Sequence, residues 1–166
     1  LDDLLALISE TSTRFRPKDA VLLKRGLEAA SLFGKASPSD RLRVVESVSS
    51  DLRKKLLAIS GFMAEEALND GGERWIEGAV VMHVIEDFDD YRENFRRLAL
   101  VNFAADRIGV RLEDVIDRVG KMGTARSFGY LGDFCRRDRS LNGLGSFGVR
   151  VEQVGARWRF VPGANP

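Results

Sequence analysis

Residues 73–86 are apolar nearly all the way round. Trp75, Ile76, Ala79, Val80, Val81, Met82, Val84 and Ile85 leave no broad polar face between them. A segment of this kind is satisfied only when neighbours enclose it on several sides. Its length suits a helix, although its β-branched content would also fit a buried strand. Its apolar run is too short to span a bilayer, which takes about 20 residues. The reading is therefore a bundle with this helix at the centre.

The rest of the chain offers helices to surround it. Residues 2–13 open with two acids and carry Leu4, Leu5, Leu7 and Ile8, a short amphipathic helix with favourable charge at its start. Pro17 suits the first turn of a helix over 18–33 that stops at Gly34. Ser37-Pro38-Ser39-Asp40 is the clearest helix start. From there Leu42, Val45, Val48, Leu52, Leu56, Ile59 and Met63 recur in steps of three or four, predicting one long helix as far as the turn at Asn69-Asp70-Gly71-Gly72. Asp90 and Glu93 have capping-box spacing for a helix that ends at Gly109. Shorter helices follow over 112–119 and 124–137.

Glycine then becomes frequent, and Val149-Arg150-Val151 and Trp158-Arg159-Phe160 alternate with period two about Gly155-Ala156. This predicts a β-hairpin over 147–161, too small to stand alone and so packed on the helices. The expected fold is mainly α: an irregular helical bundle or a short helical-repeat-like stack, one domain over 1–166, with a small C-terminal β-hairpin. Helices pair across short turns, but no residues match at a fixed period.

Composition narrows the function classes. Of 166 residues, 44% are hydrophobic and 31% charged, which fits a folded chain rather than a disordered one. One Cys and one His exclude an internal disulfide framework and a His/Cys zinc site within the chain. No charged stretch followed by an apolar core opens the sequence, so no signal peptide is expected and the cytoplasm is the expected location.

The net charge of +1 conceals two opposed segments. Between Glu65 and Glu93 ten acids face only Arg74 and Arg92, a net of −8. Between Lys121 and Pro166 eight bases face three acids, a net of +5. The acidic stretch suits capture of a basic partner, with Glu86, Asp87, Asp89, Asp90 and Glu93 as the candidate contacts. Acids also gather at helix starts and solvated turns for purely structural reasons. Arg136, Arg137, Arg139, Arg150, Arg157 and Arg159 form a possible basic surface for phosphate. Equally, that surface could dock on the acidic segment of the same chain.

Three chemical constellations compete with a binding role. On a helix His83 shares a face with Glu86 and Asp87, the geometry of a metal-ligand pair or a His–carboxylate relay. The commoner explanation is a buried His held by a carboxylate. Gly143-x-Gly145-x-x-Gly148 has nucleotide-loop spacing, but it follows a helix and precedes a strand, the reverse of a dinucleotide fold. It reads as a linker. Cys135 with His83 would make a nucleophile–base pair, yet Cys135 sits among Leu131 and Phe134 as a small core residue. Asn102, amid Leu98, Val101 and Phe103, reads as a buried polar group or a ligand contact. No cofactor and no resident metal are implied.

The sum is a non-enzymatic protein-interaction module, adaptor- or immunity-like, that binds a basic protein through an acidic surface. The stacked helices, the acidic turn before an Arg-rich helix and the terminal hairpin resemble, in architecture alone, small bacterial interaction proteins such as immunity partners of toxins. The alternatives are a metal-dependent enzyme or binder at His83, Glu86 and Asp87, and nucleic-acid binding by the C-terminal arginines.

Overall fold

A computed structural model describes Ala6 and residues 20–48, 50–86, 91–120 and 149–162. Within these residues lie six helices: α1 (Ala20–Lys35), α2 (Pro38–Ser47), α3 (Ser50–Asp70), α4 (Glu73–Glu86), α5 (Tyr91–Arg107) and α6 (Leu112–Gly120). A two-stranded hairpin, β1 (Val149–Val154) and β2 (Arg157–Pro162), completes the order. The helices expected over 2–13 and 124–137 fall outside the described residues.

The apolar segment is helix α4, and it is enclosed as its composition demands. It packs against α1, α2, α3, α5 and α6. Trp75, Ile76 and every residue from Ala79 to Ile85 are buried. In a solenoid each repeat touches only its neighbours. A helix in contact with five others makes this a bundle. The mainly α fold with a small terminal hairpin is as expected.

Local chemistry sets the helix boundaries. The Ser37 side chain accepts from the Asp40 backbone N–H at 3.2 Å, with Pro38 in the first turn of α2. This satisfies one of the amides that a helix start leaves without a partner. At the far end of α3, the Gly71 N–H returns to the Ala67 carbonyl at 2.8 Å, and α4 begins two residues later.

The long helix predicted from Ser37 to the turn at Asn69 is in fact two. The backbone at Val48 is extended (φ −77°, ψ 123°), which ends α2 and lets α3 leave in a new direction. Ser47, beside the break, favours it. Ser47 donates its hydroxyl to the Arg43 carbonyl at 2.6 Å, and serine side chains of this kind compete with helix continuation. The β-branched Val48 tolerates an extended backbone and is buried there. The break also rotates α2. Leu42, expected on the buried stripe, is 44% exposed, whereas Arg41 beside it is 1% exposed.

Arg41 faces inward because two helices end around it. Its Nε donates to the Phe33 carbonyl at 2.8 Å, its Nη2 to the Gly34 carbonyl, and its Nη1 to the Val119 carbonyl at 3.4 Å. These carbonyls lie in the last turns of α1 and α6, where the helix dipole is negative. The guanidinium also lies 5.2 Å from the centre of the Phe33 ring. Burial lowers its pKa from the ordinary arginine value, and the guanidinium remains a cation.

The hairpin turns through Gly155, whose φ of +63° suits the mirror-image turns that join strands across two residues. It rests on the C-terminal half of α3 and on α5. Asn69 brackets Trp158: its Oδ1 accepts the Trp158 N–H at 2.7 Å, and its Nδ2 donates to the Trp158 carbonyl at 3.0 Å. Phe160 meets Phe103 edge-on with ring centres 6.4 Å apart. The Arg107 guanidinium lies 5.3 Å from the Trp158 ring centre and 5.7 Å from that of Phe103.

Candidate functional site

His83 is completely buried on α4. α3 and α4 meet at a short turn, and His83 lies ten residues beyond the start of α4, as Ser60 lies ten before the end of α3. Both are therefore about 15 Å from the turn, and Ser60 is completely buried too. His83 lines neither of the two grooves described below. The Glu86 side chain and Asp87, its proposed companions, lie outside the described residues. Among the described residues, no group of three or more His, Cys, Asp or Glu could hold a metal ion. Asn102 is half-buried on α5.

The acidic segment divides in two. Its first half is engaged within the chain. Glu66 accepts from Arg157 at 2.8 Å, and Arg118 on α6 donates to Glu73 at 3.1 Å and to Glu77 at 2.6 Å. The Arg118 pKa is raised, first by its hydrogen bond to Glu73. Asp70 accepts from the Trp75 indole at 2.8 Å and from Arg74 at 3.4 Å. The second half comprises Glu86, Asp87, Asp89, Asp90 and Glu93, at the α4–α5 connection. The side chains of Glu86 and Glu93 and the whole of Asp87, Asp89 and Asp90 lie outside the described residues.

The hydrogen bond from Trp75, with Arg74 and Lys24 also nearby, holds the Asp70 carboxyl below the usual carboxylate range. A carboxyl whose folded pKa lies below its unfolded one stabilises the fold above the unfolded value. That stabilisation is lost as pH falls through the folded value. The stability gap between the wild type and Asp70→Asn is therefore expected to be widest at neutral pH and to close on acidification past the usual carboxylate range. Urea unfolding across a pH series measures it, and a gap that does not vary with pH would contradict the assignment.

The basic set is likewise partly spent inside the molecule. Arg157 is bound to Glu66, and Arg159 donates to Glu152 on the paired strand through Nε at 2.9 Å and Nη2 at 2.6 Å. Part of each guanidinium is thus already matched by a carboxylate of the same chain. Arg136, Arg137, Arg139 and the Arg150 side chain lie outside the described residues, as do the Gly143–Gly148 loop and Cys135. Docking of basic on acidic segment, one of the two expected uses of these charges, is present at the Arg157–Glu66 contact.

Two grooves accompany these charges. One, of about 570 Å³, runs between α1, α4 and α6, with Leu27, Val81 and Val119 among its apolar lining and Lys24, Glu28 and Glu77 among its charges. Gly78 lies in this groove at a close approach of helices. A Cβ there would stand 2.9 Å from Leu27 Cδ1 and 3.1 Å from Met63 Sδ. The second, of about 450 Å³, lies between β2, α1 and α3 and is lined by Phe62, Glu66, Arg157 and Trp158. Sequence reasoning found neither groove, since each joins elements distant along the chain. No helix among the described residues is long and apolar enough to cross a membrane. No protein family, curated protein or solved structure matches the chain.

Proposed function

We propose that the chain is a non-enzymatic protein-interaction module, adaptor- or immunity-like and cytoplasmic, which captures a basic protein through the acidic connection between α4 and α5. One observation carries this reading. Glu66, Asp70, Glu73 and Glu77 are bound to arginines of the same chain, whereas residues 86–93 hold five acids against the single Arg92. Charge already matched inside the molecule attracts a partner weakly. Local excess steers association and selects the sign of the partner.

The competing readings draw less support. A His83-centred metal site needs an accessible imidazole, and His83 is completely buried and lines neither groove. Phosphate binding by Arg157 and Arg159 is weakened by the charge of Glu66 and Glu152 beside them.

The test is charge reversal of Asp87, Asp89 and Asp90 to lysine, with affinity capture from the native cells quantified against the wild type. A basic protein is expected to fall at least about tenfold in recovery, with the far-ultraviolet circular dichroism unchanged. Capture from the wild type should weaken as salt rises. Equal recovery of every captured protein by a folded variant would refute the proposal.

A further inference from the structure

The hairpin has two outer edges, and among the described residues a helix meets the main chain of only one of them, that of β2. Its register pairs Val154 with Arg157 across the turn, then Gln153 with Trp158, Glu152 with Arg159 and Val151 with Phe160. Hydrogen-bonded and non-hydrogen-bonded pairs alternate along an antiparallel ladder. Asn69 takes both the N–H and the C=O of Trp158, so these groups point away from β1. Trp158 thus belongs to a non-hydrogen-bonded pair, and α3 occupies the outer edge of β2 at this residue. The same alternation turns the N–H and C=O of Gln153, Val151 and Val149 outward along β1. Among the described residues no further strand pairs there. An edge of six residues without proline is a template for another strand.

The geometry points to a second copy of this chain as that strand, with β1 pairing antiparallel to β1 about Val151. A two-fold axis perpendicular to the sheet must place one residue opposite itself, and charge chooses which. Centring on Arg150 sets arginine against arginine, and centring on Glu152 sets glutamate against glutamate. Centring on Val151 sets Arg150 of each copy opposite Glu152 of the other. Opposite charges directly across a ladder stabilise it, and like charges destabilise it. In this register the outward groups of Val151 meet their own symmetry mates, and those of Val149 meet those of Gln153. The hydrogen-bonding phase admits this alignment, and the charge pattern selects it. Glu152 would then stand between Arg159 of its own β2 and Arg150 of the second copy. The product is a four-stranded sheet, beyond the size at which an isolated hairpin is marginal.

Sedimentation velocity over about 10 µM to 1 mM suits the weak dimer expected of an interface below standard size. The wild type should shift from monomer to dimer across this range. Gln153→Pro removes an outward N–H and no hydrogen bond of the hairpin, a placement that edge strands accept. It should remain monomeric throughout. Arg150→Glu and Glu152→Arg, each alone, should weaken association at least about tenfold. An equimolar mixture of the two should recover it, because each copy then again faces the opposite charge. Recovery on mixing also shows that both variants are folded. A wild type monomeric at the highest concentration, a dimer indifferent to Gln153→Pro, or a mixture no better than its components would each overturn the proposal.

Discussion

Replacing Arg41 with alanine is expected to destabilise the fold by about 3–5 kcal/mol, the range for truncating a buried side chain whose partners stay buried. Two losses combine. The stem of Arg41 packs inside the bundle and its guanidinium lies over Phe33, so truncation leaves a void. The carbonyls of Phe33, Gly34 and Val119 also lose a charged donor, and hydrogen bonds to charged groups contribute about 1.5–3 kcal/mol each. For a chain of this size the melting temperature should fall by about 10 °C. Arg41→Met keeps most of the stem and removes the charge. It should cost less than alanine, because burying a guanidinium is itself unfavourable. Arg41→Lys keeps a charge but presents one compact ammonium to acceptors on two helices, so it should not restore the wild type. Thermal and urea unfolding of the three variants measure the series. A loss below about 1 kcal/mol for alanine, the range of surface substitutions, would show that Arg41 does not join α1 and α6 in this way.

Arg41 also marks where sequence reading stops. The central place of α4 was legible because a helix with no polar face has one kind of environment available to it. The start of α2 at Ser37 and the hairpin turn at Gly155 were legible because each depends on a few adjacent residues. The break at Val48 was not. The three-and-four spacing of Val45, Val48, Leu52, Leu56, Ile59 and Met63 runs through the break in the sequence, and Val45, Val48, Leu56, Ile59 and Met63 are buried. That pattern reports burial, and it cannot distinguish one straight helix from two that both touch the core. Arg41 between Asp40 and Leu42 looks like a solvated charge. Only the arrival of two helix ends makes its inward position favourable.

The candidate site divides along the same line. The number of acids between Glu65 and Glu93 is plain in the sequence, but their partners are not. Arg118 lies 45 residues from Glu73 and 41 from Glu77, and Arg157 lies 91 from Glu66. A net charge summed along a segment therefore overstates the field that a partner meets. Arg118 and Arg157 reduce it at one end of the segment.

Substitution of Asn69 should release the hairpin while leaving the bundle folded. The Asn69 side chain donates to the Glu65 and Trp158 carbonyls, each at 3.0 Å, and accepts the Trp158 N–H at 2.7 Å. It thus acts as a third strand one residue long, satisfying main-chain groups of β2 that the ladder leaves unmatched. Asn69→Ala removes all three bonds and leaves the part-buried Trp158 N–H and C=O without their partner. Only the two bonds to Trp158 hold the hairpin, and at about 1 kcal/mol each, less what water recovers, they give about 1–2 kcal/mol. Other contacts of the hairpin among the described residues include Val151 on the core, Phe103 against Phe160, Arg107 over Trp158 and the exposed Arg157–Glu66 pair. An exposed ion pair adds at most about 1 kcal/mol, so these contacts compensate poorly. Local opening should therefore ease, and the protected amides of β1 and β2 should exchange hydrogen about 5–30 times faster. Amides of α4, which open only when the bundle unfolds, should change far less. Asn69→Asp keeps an acceptor for the Trp158 N–H and loses both donations, so its exchange should lie between alanine and wild type. Equal acceleration in α4 and the hairpin would mean that Asn69 supports the whole bundle. Unchanged exchange in the hairpin would mean that the aromatic contacts alone hold it.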